Sequence, residues 1–245
     1  MQYKKCKMLP EYQNGKIAKS ISTPLALKAL DSLQENLKKY IVYTNRCKRI
    51  STLAGCDVHY EGDCAQAGIC VFDYNLQLLE RVSIRGKVAF PYIPGYLAFR
   101  EAPILIEAIS RLKIKPDCFL FDGNGVLHPR MMGLATFLGI VLEMPTIGCT
   151  KNLLLGNYPS LGEERGHFSL IRYRKRIVGA ALRTKSNTRE IYVSVGWGIT
   201  LKTALSVVLD TSCYRIPEPL RLAHMQSKTG RFGETNIIAS QCDIW

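Results

Sequence analysis

Hydrophobic and polar positions change period several times along the 245-residue chain, and each change marks an element. Over residues 25–43 the apolar side chains Leu25, Leu27, Leu30, Leu33, Leu37 and Ile41 recur at helical spacing with charges between them. That pattern predicts an amphipathic helix leaning on the main domain. Strand patterns follow over 53–60, 65–72 and 78–84, separated by Glu61-Gly62-Asp63 and Asp73-Tyr74-Asn75. Connections this short and rich in turn formers force antiparallel neighbours, so the three strands form a meander. A helix is expected over 97–112, with Ile104, Leu105, Ala108 and Ile109 on one side. Residues 117–122 are a short apolar run of the kind a buried parallel strand shows. A helix over 130–142 and a short strand over 146–148 come next.

The order β-β-β-α-β-α-β predicts an α/β fold: a mixed sheet, three antiparallel strands then parallel strands, flanked by helices. Beyond it, 168–172 and 177–182 predict a hairpin, 190–195 a strand and 201–209 a helix. Residues 1–20 are polar, basic and turn-rich, which predicts a flexible basic arm. Periodicity fades after residue 226. The expected organisation is therefore an arm over 1–20, one domain over 21–226 and a tail over 227–245, with no internal repeat.

Charge narrows the partner. Thirty-three Lys and Arg against 20 Asp and Glu leave a net charge of +13, a field that attracts polyanions and puts nucleic acid first. A membrane-surface role has less support, because no long basic amphipathic helix is present. Lys4, Lys5 and Lys7 are followed by Pro10, Gln13 and Asn14, where a signal peptide needs an apolar core, and no run approaches the length of a membrane span. The nine cysteines are scattered singly with no CxxC pair, so neither a zinc site nor a complete disulfide framework is suggested. Cys70 and Cys118 lie in apolar runs and are expected to pack as small hydrophobes. These readings predict a soluble, cytoplasmic monomer that binds nucleic acid and no membrane.

Three acids stand out against this basic background. Asp57 lies within the first strand, Glu101 near the start of the first crossover helix and Asp122 at the carboxyl end of the first parallel strand. That edge is where open α/β sheets bind ligands. Three carboxylates gathered there would suit Mg²⁺, with Mn²⁺ as a substitute, and a metal pair can clamp both oxygens of an in-line phosphodiester displacement. For each acid alone the plainer reading is a solvated charge. It is weaker for Asp57, whose neighbours Leu53-Ala54-Gly55-Cys56 and Val58 suggest a half-buried strand, where an acid needs a partner.

Other motifs point the same way, each beside a plainer reading. Pro91-Tyr92-Ile93-Pro94-Gly95 holds a tyrosine in a proline-stiffened turn, a wedge of the kind that enters stacked bases, or else a loop carrying a core tyrosine. Asp122-Gly123-Asn124-Gly125 lets backbone approach a ligand, or is a simple turn. His128 and Arg130 fall at a helix start, where phosphate could bind or His128 could merely cap or pack. Lys151 leaves the second parallel strand on the Asp122 edge, positioned to neutralise a phosphate, and His224 sits in a segment that could equally be a surface helix.

Read in order, these motifs resemble the endonuclease V family, which cleaves nucleic acid near deaminated adenine. The match runs through Ala54-Gly55-Cys56-Asp57-Val58, Pro91-Tyr92-Ile93-Pro94-Gly95 into Phe99-Arg100-Glu101, and Phe121-Asp122-Gly123-Asn124-Gly125. It continues with His128-Pro129-Arg130, Pro145-Thr146-Ile147-Gly148-Cys149-Thr150-Lys151, Arg215-Ile216-Pro217-Glu218-Pro219 and Arg221-Leu222-Ala223-His224, covering roughly 25–226. The resemblance implies a ribonuclease-H-like fold in which Asp57, Glu101 and Asp122 hold Mg²⁺ with His224 close by. It implies that Tyr92, flanked by Pro91, Ile93 and Pro94, fills the space of a flipped-out lesion base. Gly95, Leu97, Gly123 and Gly125 would line a hypoxanthine pocket, and Lys151 and His128 would sit near the phosphate and the pocket edge. The implied reaction, in DNA repair, hydrolyses the second phosphodiester 3′ to deoxyinosine or inosine, leaving a 3′-hydroxyl and a 5′-phosphate.

The chain departs from the pattern at Ser194-Val195-Gly196-Trp197, where many members have Ser-Pro-Gly-His, at Cys56, where many have valine, and over the irregular stretch 157–167. These changes bear on substrate preference. An inosine-specific ribonuclease acting on RNA shares every one of these residues and is the alternative enzyme. A non-catalytic nucleic-acid binder is disfavoured, because buried carboxylates kept without a metal repel phosphate.

Overall fold

The computed structural model describes residues 23–229, so the expected arm over 1–20 and residues 230–245 of the expected tail lie outside it. Helix α1 (Pro24–Leu37) begins with proline in its first turn and Thr23 as cap, the Thr23 hydroxyl accepting from the Ala26 N–H at 3.3 Å. It stops at Leu37, short of residue 43, and a 3₁₀ turn (Lys38–Tyr40) leads into extended chain. Leu27, Leu30 and Leu37 are half-buried on the face that also carries Gln34. Leu25 is 79% exposed and Leu33 43%, whereas Gln34 is completely buried.

The meander forms as expected: β1 (Thr52–Glu61), β2 (Cys64–Asp73) and β3 (Leu78–Lys87) pair antiparallel in sequence. Helix α2 (Leu97–Ser110) crosses to β4 (Cys118–Asp122), which pairs parallel with β1. Helix α3 (Leu134–Leu142) crosses to β5 (Thr146–Thr150), parallel to β4. The hairpin β6 (Phe168–Tyr173) and β7 (Arg176–Leu182), then β8 (Ile191–Trp197), close one eight-stranded sheet in the order β3-β2-β1-β4-β5-β8-β7-β6. This is the ribonuclease-H-like mixed sheet expected. Helix α3 begins four residues later than its apolar pattern suggests, because Met131 takes a left-handed φ of 52° and the segment before it folds back on the sheet. There the Val126 N–H donates to the Val195 carbonyl at 2.8 Å.

Alternation along the strands sorts the core into two layers. Ala54 and Cys56 of β1, with Phe119 and Phe121 of β4, pack under α2 and α3. Leu53, Cys118 and Leu120 face the other side, under α4 (Leu201–Asp210) and α5 (Glu218–Thr229). Cys56, Cys70, Cys118 and Cys149 are buried free thiols, in keeping with their apolar surroundings. Trp197 ends β8 opposite Thr146, so it lies at the other end of β5 from Lys151. Its indole N–H donates to the Tyr40 carbonyl at 2.8 Å and helps strap the link between α1 and β1 to the sheet. In the irregular stretch, Asn157 bridges Arg172 on the outermost strand, β6. Among the described residues no helix is long and apolar enough to cross a membrane.

Helix α5 lies unusually close to the strands, and two glycines permit it. A Cβ at Gly55 would stand 2.0 Å from the Pro219 carbonyl oxygen, and one at Gly68 would stand 2.4 Å from the Ser227 nitrogen. Backbone cannot swing aside as a flexible side chain does, so a methyl at either position must push the helix off the sheet. The helix continues to Thr229, past residue 226 where periodicity fades. Gly55→Ala and Gly68→Ala are each expected to destabilise the fold by about 1–3 kcal/mol. Gly86→Ala, whose new methyl would meet only Ile104 Cδ1 at 3.7 Å, should change stability by less than about 0.5 kcal/mol. Thermal unfolding of the three variants beside the wild type checks this; equal melting points would show that α5 adapts freely.

Candidate active site

Strand register brings the first two acids together. β1 and β4 run parallel with Cys56 beside Phe121, so one position further Asp57 and Asp122 stand abreast on neighbouring strands, both facing the α5 side. Glu101 arrives from the opposite layer, in the second turn of α2. Asp57 is 8% exposed and Glu101 7%, while Asp122 is half-buried. Each carboxylate has its own partner. Asp57 Oδ2 accepts from the Ser227 hydroxyl at 2.6 Å and lies 3.1 Å from His224 Nδ1. Glu101 Oε1 accepts from the Tyr60 hydroxyl at 3.1 Å, and the Arg100 guanidinium sits 4.4 Å from the centre of the Tyr60 ring. Lys151 Nζ donates to Asp122 Oδ2 at 3.1 Å.

The acids feel one another. Burial pushes the Glu101 carboxyl up to about 8; the Tyr60 hydrogen bond opposes the shift, and the charges of Asp57 and Asp122 add to it. Burial also raises Asp122, with Lys151 opposing and Asp57 adding. Among the described residues no group of three or more His, Cys, Asp or Glu side chains forms a ready metal cage, each of these carboxylates being turned toward a separate donor. The donor set nevertheless fits a hard divalent cation. It consists of carboxylate oxygens from three elements, with no thiolate among them, in a like-charge cluster whose repulsion such a cation relieves.

The wedge motif stands beside this cluster in the chain, running directly into α2. Tyr92 is 70% exposed, so it is no core tyrosine; the tyrosine buried here is Tyr96. Pro94 is exposed, Pro91 and Ile93 are half-buried, and the Tyr96 N–H closes the turn on the Ile93 carbonyl at 3.0 Å. Gly95 adopts a left-handed φ of 85°, a conformation open to glycine, and Leu97 opens the helix half-buried. In the loop after β4, the Gly123 N–H donates to the Phe121 carbonyl at 2.8 Å. At Gly125 a Cβ would come within 2.1 Å of the Val195 carbonyl oxygen, so glycine is required there for packing on β8.

His128 and Arg130 do not form an open phosphate site at a helix start. His128 is buried, with Nε2 3.2 Å from the Gly95 carbonyl oxygen and Nδ1 accepting from the Arg130 N–H at 3.3 Å. Burial lowers its pKa to about 4, with the Arg130 charge acting the same way, so the ring is neutral near pH 7. Arg130 is ion-paired with Asp31 at 3.0 Å. The structure thus gathers Asp57, Glu101, Asp122, Lys151 and His224 in one cluster, and joins Gly95 to His128 in another. Sequence reasoning passed over Tyr60 and Ser227. Tyr60 shares the β1 face that carries Ala54 and Cys56 toward α2, and Ser227 lies one helical turn after His224; periodicity gives the face of each but not the acid it meets.

Comparison with known proteins shows what the chain as a whole is similar to. The family profile described as Endonuclease V matches residues 35–225. An endonuclease V from Dictyoglomus turgidum is 44% identical over 198 residues, covering 80% of this chain and 87% of the relative. The crystal structure of endonuclease V from Streptomyces avermitilis superposes with a TM-score of 0.78 at 33% identity, covering 85% of this chain and 92% of that one. Ciona intestinalis endonuclease V, solved with a 23mer DNA containing an inosine followed by a ribo-adenosine, gives a TM-score of 0.76 at 25% identity, with 85% and 98% covered.

The raised Glu101 pKa has a testable sign. Its folded value of about 8 exceeds the ordinary 4.5, so the folded state holds the proton more tightly. In EDTA, the contribution of this group to stability should therefore fall as pH rises from about 4.5 through about 8. Melting curves of wild type and Glu101→Gln should lie close together at about pH 5 and separate at about pH 9, the variant being the more stable. Adding Mg²⁺ at the higher pH should raise the wild type alone. Parallel curves throughout would show that Glu101 is not under this strain.

Proposed function

The chain belongs to the endonuclease V family and is a nuclease, a phosphodiester hydrolase; from that premise we propose that it recognises inosine or deoxyinosine and, with Mg²⁺, hydrolyses the second phosphodiester 3′ to it, leaving a 3′-hydroxyl and a 5′-phosphate. The observation that carries this reading is the gathering of three carboxylates, Asp57 abreast of Asp122 on adjoining strands and Glu101 on α2, on a chain whose segment leading into α2 presents an exposed, proline-flanked tyrosine. The inosine-containing strand bound by the Ciona protein indicates the chemical class of substrate.

Asp57, Glu101 and Asp122 are the residues that would hold the metal, which when bound neutralises charge on the scissile phosphate. Glu101 must give up its proton to serve, and the Tyr60 hydroxyl holds the carboxylate in place as it does so. Ser227 and His224 orient Asp57 from the helix side. Lys151, whose ammonium rests on Asp122 and is partly exposed, is available to a phosphate oxygen. Tyr92, free of the core, replaces the stacking of a base drawn out of the helix, a step that is cheapest at mismatched or unpaired inosine. The net charge of +13 draws the polyanion in and makes binding salt-sensitive. We propose that the protein acts as a monomer.

Matched DNA and RNA oligonucleotides with one inosine, incubated with and without Mg²⁺, test the reading directly. Cleavage one nucleotide beyond the lesion and only with metal is the expected result, and the faster strand identifies the working substrate. Tight, salt-sensitive binding without cleavage would overturn it in favour of a binding protein. Asp57→Ala and Asp122→Ala should reduce cleavage to background while binding persists. Tyr92→Ala should cost about 1–3 kcal/mol of lesion binding, with the Mg²⁺ requirement unchanged. Because binding competes with the Glu101 proton, half-maximal Mg²⁺ should fall as pH rises toward about 8; a pH-independent requirement would remove Glu101 from the metal site.

A further inference from the structure

The buried side chain of α1 is Gln34, and both its donors and its carbonyl oxygen find partners away from its own helix. Its Nε2 donates to the carbonyl oxygens of Gly95 and Met132, each at 3.3 Å, and its Oε1 accepts from Arg130 Nε. Arg130 turns its remaining nitrogens on the same neighbours: Nη2 donates to Gly95 O at 3.0 Å and Nη1 pairs with Asp31 at 3.0 Å. Its guanidinium lies 4.6 Å from the centre of the Tyr96 ring, whose hydroxyl donates to Asp31 Oδ1 at 2.6 Å. One carbonyl, at the end of the wedge turn, therefore collects Gln34, Arg130 and the ring of His128. An isolated tie would not need so many donors.

We propose that Gln34, with Arg130 and Asp31, is a positioning residue for lesion recognition: through the Gly95 carbonyl, α1 locks the wedge turn to the segment 128–132, so the two move as one body when a base is drawn out. This rests on the function proposed above. Free of this lock, the turn would gain alternative positions, and fewer encounters would present Tyr92 in the orientation that fills the vacated stack. The hub touches none of the acids, so the loss should fall on selection of the lesion and leave the chemical step alone.

Gln34→Leu removes both donors and the acceptor at similar volume. Gln34→Glu keeps an acceptor for Arg130 but places a carboxylate against the Gly95 and Met132 carbonyls. Both should lower the ratio of kcat/KM for inosine over adenine oligonucleotides by about tenfold or more, through KM, with kcat within about twofold of wild type. The fluorescence gain of a 2-aminopurine placed next to inosine, which reports unstacking on binding, should shrink in parallel. A purely structural tie would lower the melting point without moving that ratio or signal. Asp31→Asn, at the exposed rim of the hub, should shift both readouts in the same direction by less, and it decides the matter if the Gln34 variants do not fold. Wild-type ratios and signals in Gln34→Leu and Gln34→Glu, or in Asp31→Asn where those fail to fold, overturn the coupling alone. A wild-type protein with no preference for inosine overturns the parent reading and this inference with it.

Discussion

A helix can rest its backbone on a β-sheet only where no Cβ stands between them, and in this protein the candidate active site depends on that condition. Gly55 on β1 and Gly68 on β2 leave the space that the backbone of α5 occupies. The close approach brings Ser227 and His224 to Asp57, two residues along β1 from Gly55. Register then does the rest, since β1 and β4 are locked in parallel and Asp122 can only stand beside Asp57. A larger residue at either glycine would meet only α5, yet it would alter the environment of the most buried strand carboxylate in the cluster.

The site is held under electrostatic tension. The charges of Asp57 and Asp122 add to the burial that raises Glu101, and that of Asp57 adds to the burial that raises Asp122, in a protein whose overall charge is strongly positive. The excess of Lys and Arg draws in a polyanion, while the acid cluster would repel its phosphates unless a divalent cation intervened. Lys151 against Asp122 and Tyr60 against Glu101 partly relieve the repulsion and keep the carboxylates oriented. Such a cluster is a poor choice for stability alone, which is why its presence bears on function.

The proposed recognition side is built differently, from neutral and charge-assisted hydrogen bonds around a single ion pair, Arg130 with Asp31. The wedge turn ends at a left-handed glycine whose carbonyl is held by side chains from α1 and from the loop before α3. His128, buried and neutral, belongs to this scaffold rather than to the phosphate surface. On α1, Gln34 falls at helical spacing from the half-buried Leu27, Leu30 and Leu37, and it brings a polar side chain onto the face that docks, with Asp31 at its rim.

Local pattern by itself determined much of this protein. Alternation and short turns identified the meander β1–β3, the apolar run of β4 and the helix-strand order that makes the mixed sheet, because strand period and turn length are properties of a few adjacent residues. Motif order singled out Asp57, Glu101, Asp122, Lys151 and His224, and the fold collects all five. What only the tertiary structure decided depends on residues far apart in the chain. Tyr60 lies 41 positions from Glu101, Ser227 lies 170 from Asp57 and Gln34 lies 61 from Gly95, and no local pattern pairs them. The start of α3 and the polar anchor on the docking face of α1 escape the pattern for the same reason: a left-handed Met131 and a buried Gln34 are consequences of what packs against them. Hydrophobic period reports which way a side chain faces, and only the folded chain reports what it meets there.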